Sequence, residues 1–143
     1  MIDLSMEEHT MPTHAVIWID HQEARVFHVQ PQTVGHVQPE AIDETTILSQ
    51  QHLIHRHPKG RGEAKEHPDD AKRFFHEAAR SLAGTDAVLI VGPSSAKLEF
   101  LRYVQDHDKT LQARVVGIET VDHPTDREIV AYAKRYFVGS DRM

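Results

Sequence analysis

Residues 87–97 read AVLIVGPSSAK, from Ala87 to Lys97. The continuous apolar run Ala87 to Val91 suits a strand covered on both faces. Gly92-Pro93-Ser94-Ser95 then turns the chain into a helix, with Leu98, Leu101, Tyr103 and Val104 as its apolar positions and Ser94 or Ser95 as its cap. Residues 114–120 (RVVGIET) form the next strand. Thr125 and Glu128 make a T-x-x-E capping box that opens a last helix through Phe137. Strand and helix in alternation imply parallel pairing through right-handed crossovers.

Upstream, Pro68-Asp69-Asp70 starts another helix, with Pro in the first turn and two carboxylates at the positive end of its dipole. Phe74, Phe75, Ala78, Ala79 and Leu82 form its apolar stripe and Gly84 stops it. Earlier still, residues 14–20 (HAVIWID) and 24–29 (ARVFHV) are β-prone and joined by a short polar turn, which predicts a β-hairpin. Residues 33–37 and 42–48 are weaker strand candidates that extend it into a meander. Trp18, in the middle of the first strand, reads as core. The fold class is α/β: one mixed sheet, a hairpin or meander followed by βαβα, close to the ribonuclease-H-like arrangement. The expected organisation is a flexible N-terminal segment 1–13, one domain over 14–137 with a long loop at 50–67, and a C-terminal tail 138–143.

Composition agrees with a single domain. At 143 residues and 39% hydrophobic content, the chain can bury roughly 70% of its unfolded surface. No apolar run is long enough to span a bilayer, and the first ten residues lack the basic start and apolar stretch of a secretory signal. Without cysteine there is no disulfide framework, thiolate metal site or cysteine nucleophile. A cytoplasmic protein without membrane association is expected. The net charge of −6, with His neutral, argues against a general nucleic-acid coat and against DNA as a partner, while leaving room for a local basic element. The 12 histidines add charge under mild acidification.

Such a basic element lies in residues 50–67, which have no helical or strand period and read as a long polar loop. Arg56, Lys59, Arg61 and Lys65 stand there against one acid, Glu63. Gly60 and Gly62 let a backbone approach another closely. Cations and glycines in this pattern suit entry into a phosphate-lined cleft, where each Lys or Arg displaces counterions. His52, His55, His57 and His67 are weak metal candidates, because the paired spacing of ligands on a rigid element is absent. No cofactor is implied. Asp20, Glu99, Glu119 and Asp122 are considered for two-metal phosphodiester cleavage. Asp20, however, looks placed in a turn, and Asp122 more simply supports the N-terminus of the last helix. The turn at 92–97 is not a Walker loop, and Ser94 has no nucleophile elbow.

Residues 88–97 (VLIVGPSSAK), 115–124 (VVGIETVDHP), 133–137 (AKRYF) and 14–28 (HAVIWIDHQEARVFH) resemble the short bacterial translational machinery proteins. These are relatives of the middle domain of archaeo-eukaryotic peptide-chain release factors and Pelota. The resemblance covers about residues 14–137. It implies a ribonuclease-H-like domain whose long loop, in the release factors, bears Gly-Gly-Gln and promotes peptidyl-tRNA hydrolysis. Here the corresponding stretch is Lys59-Gly60-Arg61-Gly62-Glu63-Ala64-Lys65, without Gly-Gly-Gln, which speaks against termination activity. On this resemblance, the codon-reading and partner-binding domains of a full factor are not expected in these 143 residues.

The resemblance therefore implies a non-catalytic module that binds the ribosome or tRNA through Arg56, Lys59, Gly60, Arg61, Gly62 and Lys65, in rescue, stalling response or hibernation. A peptidyl-tRNA or RNA-ester hydrolase assisted by Glu63 or a loop histidine is the alternative. A binding or assembly protein unrelated to RNA, with histidines responding to pH or metal, is a third. The sequence leaves the oligomeric state open.

Overall fold

The strand His14–Ile19 (β1) is buried along its whole length, as a strand with helices on both sides must be. The computed structural model describes residues 13–29, 43–48 and 68–141. After β1 the chain runs through Glu23–Val29 (β2) and Asp43–Leu48 (β3), then the helix Pro68–Ser81 (α1) and Ala87–Gly92 (β4). The helices Ala96–His107 (α2) and Lys109–Gln112 (α3), the strand Val115–Thr120 (β5) and the helix Asp126–Asp141 (α4) complete it. The sheet order is β3-β2-β1-β4-β5. β1, β2 and β3 pair antiparallel as a meander, whereas β1, β4 and β5 are parallel.

This is the mixed α/β sheet expected from the sequence. The strand candidate at 33–37 lies outside the described residues. α4 continues to Asp141, four residues beyond Phe137. Among the described residues no helix is long and apolar enough to cross a membrane.

Strand alternation divides the interior in two. Ala15, Ile17 and Ile19 of β1, with Val88 and Ile90 of β4, pack beneath α1 and α2 against Phe74, Phe75, Leu82, Phe100 and Val104. Val16, Trp18, Leu89 and Val91 point the other way, onto Ile129, Val130, Ala133 and Phe137 of α4. The expected stripe of α1 is buried, and Gly84 ends the helix at a φ of 85°. The stripe of α2 differs from expectation. Its buried positions are Ala96, Lys97, Phe100 and Val104, while Leu98 is 54% exposed. Leu98 is separated from Phe100 by about 200° of helical rotation, so both cannot face the sheet.

Two local features fix the register. A Cβ on Gly92 would run into the carbonyl oxygen of Ile19, so β4 ends hard against β1 only because residue 92 has no side chain. In the β4–β5 ladder Val88 pairs with Val115 and Leu89 with Gly117, which passes over Val116 as a bulge. The Tyr136 hydroxyl donates to the Val116 carbonyl at 3.1 Å, and its ring lies where a side chain on Gly117 would stand.

Candidate functional site

β1, β4 and β5 are parallel, so their carboxyl ends, Ile19, Gly92 and Thr120, share one edge of the sheet. β3 runs the same way as β1, and its last residue, Leu48, pairs with Glu23 beside the β1–β2 turn on that edge. α1 finishes at the opposite edge, where Thr13 bonds to Gly84 and Asp86. With 14 residues α1 is about 20 Å long, so its Pro68 end returns to the carboxyl edge. Leu48 and Pro68 thus flank residues 49–67 from the edge where open α/β sheets place their ligand sites. Arg56, Lys59, Gly60, Arg61, Gly62, Glu63 and Lys65, and likewise His52, His55, His57 and His67, lie outside the described residues.

On the α1–α2 face of this edge, Asp20 closes the hairpin. Its Oδ1 accepts the amides of Gln22 and Glu23 at 2.8 and 2.9 Å, an Asx turn that uses the carboxylate structurally. His21 Nε2 lies 3.3 Å from both oxygens of Glu99, and the Ser95 hydroxyl donates to Glu99 at 3.2 Å. The carboxylate sits between serine and histidine, whereas activating a serine needs the base next to the hydroxyl. This order gives no nucleophile. Ser95 occupies the cap position of α2, but its hydroxyl makes no capping bond there. Lys97 is buried and donates to the Ser94 carbonyl at 2.7 Å, so its charge is folded onto the turn.

The α4 face is built around Trp18. The indole N–H donates to the Asp122 carbonyl at 2.8 Å, fixing the strand-to-helix loop on the sheet. Arg25, opposite Trp18 in the β1–β2 register, lies 4.6 Å above the indole and pairs with Asp126 in the first turn of α4. Arg25 Nε is 3.4 Å from Glu23 but makes no well-aligned hydrogen bond. His123 packs on the indole at 5.3 Å, and its Nδ1 is 3.0 Å from the Asp122 carboxylate. The Asp122 side chain thus sits on the rim, 93% exposed, rather than supporting α4. The capping box does that: Glu128 accepts the Thr125 amide at 2.8 Å, and the Thr125 hydroxyl accepts the Glu128 amide at 3.2 Å.

The four carboxylates considered for metal chemistry are therefore dispersed. Glu99 belongs to α2, Asp20 to the hairpin turn, and Asp122 to the opposite rim. Glu119, level with Val91, lies on the α4 face near Tyr132. Among the described residues no three His, Asp or Glu side chains converge on a cation position. Sequence reasoning missed Arg25, His123, Tyr132 and Arg135. Only Tyr132 and Arg135 carried a signal, the spacing of Glu128, Tyr132 and Arg135 along one helix face.

The sequence matches no known family profile and no curated protein sequence. Solved structures with the same fold include Pelota from Archaeoglobus fulgidus, with a TM-score of 0.60 and 16% identity over 96% of this chain and 37% of that one. Pelota from Thermoplasma acidophilum gives 0.53 and 20% identity over 92% and 37%. An archaeal translation termination factor gives 0.51 and 14% identity over 91% and 39%. The chain spans less than two fifths of the length of each, and what it shares with them is the fold of that portion.

Proposed function

We propose that this chain is a translation-factor-like module that associates with the ribosome or tRNA in the cytoplasm. The observation that carries the reading is a fold shared over nearly the whole chain with Pelota and a translation termination factor. The segment with four cations and two glycines joins β3, whose last residue Leu48 is at the carboxyl edge of that fold, to α1. In this reading Arg56, Lys59, Arg61 and Lys65 contact RNA phosphates, and Gly60 and Gly62 permit close backbone approach. The resemblance to the bacterial translational machinery proteins supports it. The absence of Gly-Gly-Gln favours a binding role over peptidyl-tRNA hydrolysis.

The test is co-sedimentation of the untagged protein with ribosomes across a salt series. Binding is expected to fall as salt rises. Replacing the four cations with Ala is expected to weaken binding and flatten its logarithmic salt dependence by roughly three units, at just under one per phosphate contact. Unchanged binding by the quadruple variant, or none by the native protein at low salt, overturns the reading. Peptidyl-tRNA turnover that disappears in Glu63→Ala would replace it with the hydrolase.

A further inference from the structure

After β4 the chain turns onto the α2 face, and after β5 it turns onto the α4 face. Two neighbouring parallel strands whose connections diverge leave a crevice between their carboxyl ends. On the α4 side that crevice is a cavity of about 450 Å³, within the range of small-molecule sites. Its apolar wall is made by Val91, Val121, Pro124 and Ile129.

We propose that this cavity binds a small monocarboxylate with an apolar or aromatic body, the carboxylate meeting Arg135 and the Tyr132 hydroxyl. Both side chains line the cavity from one face of α4. Arg135 has no carboxylate within ion-pair distance among the described residues. Partial burial, helped by the negative charge of Glu119, holds the Tyr132 phenol above its ordinary pKa, so at neutral pH it is an O–H donor. The acidic groups of the lining are already engaged: Glu128 accepts the Thr125 amide and Asp122 faces His123. The Arg135 guanidinium, without a carboxylate partner among the described residues, and the Tyr132 hydroxyl remain as donors, which calls for an anion. Arg135 is the one Lys or Arg of the described lining and balances one negative charge, while Asp122 and Glu128 on the wall oppose a second, which disfavours dianions and polyphosphates. The apolar wall calls for a hydrocarbon or ring, and the His123 imidazole at the mouth offers it a planar neighbour.

This site is independent of ribosome association. It is tested on the full chain by following amide resonances during titration with N-acetyl-phenylalanine at constant ionic strength. Saturable shifts are expected at Val121, His123, Ile129 and Tyr132. N-acetyl-phenylalaninamide keeps the ring and loses the charge, and should bind about tenfold more weakly, the size expected for one charge-assisted hydrogen bond. Phenyl phosphate, carrying a second charge, should also bind more weakly. Arg135→Gln should lose about tenfold and Tyr132→Phe about threefold, with the spectra of both otherwise native. No saturable shifts with the acid at millimolar concentration overturn the proposal. So does equal binding of acid and amide, tighter binding of the phosphate, or an Arg135→Gln variant of native affinity.

Discussion

Gly92 is occupied from the β1 side: the Ile19 carbonyl stands where its Cβ would be. The obstacle is backbone inside a paired strand and has nowhere to yield. Gly92→Ala is expected to lower stability by about 1–3 kcal/mol, the range of an overpacked core, read as a lower urea midpoint. That the chain turns after β4 was legible from Gly-Pro-Ser-Ser, although Gly92 itself is the last residue of the strand. That it touches residue 19 was not, because contacts across 73 positions leave no trace in spacing. Gly117 is similar. A lone glycine inside a strand pattern signals a bulge or a close approach, and here it marks both, but the partner, Tyr136, is read only from the structure. Trp18 was legible as core, since apolar neighbours on both sides left its strand no solvent face. The polar end of its ring, bonded to the Asp122 carbonyl, was not.

The start of α4 was read faithfully, because capping is local, whereas its end was not and Ser95 makes no capping bond at α2. Thr125 and Glu128 exchange both bonds of the capping box. Thr125→Ala is therefore expected to cost about 1 kcal/mol, seen as a lower denaturant midpoint with an unchanged slope. The strand periods and the stripe of α1 were equally legible. Helix α3 was not, since four residues carry no period. Asp108 defines it, accepting the Leu111 amide at 3.0 Å. In α2 Leu98 misled the reading because hydrophobicity was taken for burial. The rotation set by Phe100 and Val104 decides which face is inside.

At the scale of the molecule, the order of elements specified a mixed sheet with parallel pairing in its later half, while the strand order β3-β2-β1-β4-β5 came from the structure. The cavity was not legible, because Val91, Val121 and Arg135 come from separate segments and meet only when two connections part. At the opposite edge Asp86 clasps the beginning of β1. It accepts the Thr13 amide at 2.9 Å and pairs with Arg114 at 3.2 Å. The Thr13 amide, followed by the Thr13 hydroxyl and Arg114, lowers the Asp86 pKa against a smaller opposing effect of desolvation. Because the folded value lies below the unfolded one, the clasp contributes fully above the ordinary carboxylate value, near pH 4. Its contribution is lost as pH falls through the folded value. Asp86→Asn is expected to be less stable than the native protein at neutral pH and to lose less on acidification. Urea unfolding over a pH series measures both, and parallel curves for the two proteins would reject the role given to Asp86.

The bulge at Val116 has a consequence for how copies of this chain meet. β5 is one of the two outer strands of the described sheet, where an unpaired ladder would recruit another molecule and extend into a continuous polymeric sheet. Skipping Val116 breaks the repeat of that outer ladder, and the Tyr136 hydroxyl takes the Val116 carbonyl for the chain itself. A glycine and a tyrosine, unremarked in the sequence, thereby give this side of the sheet a terminus and leave a second copy little to build upon there.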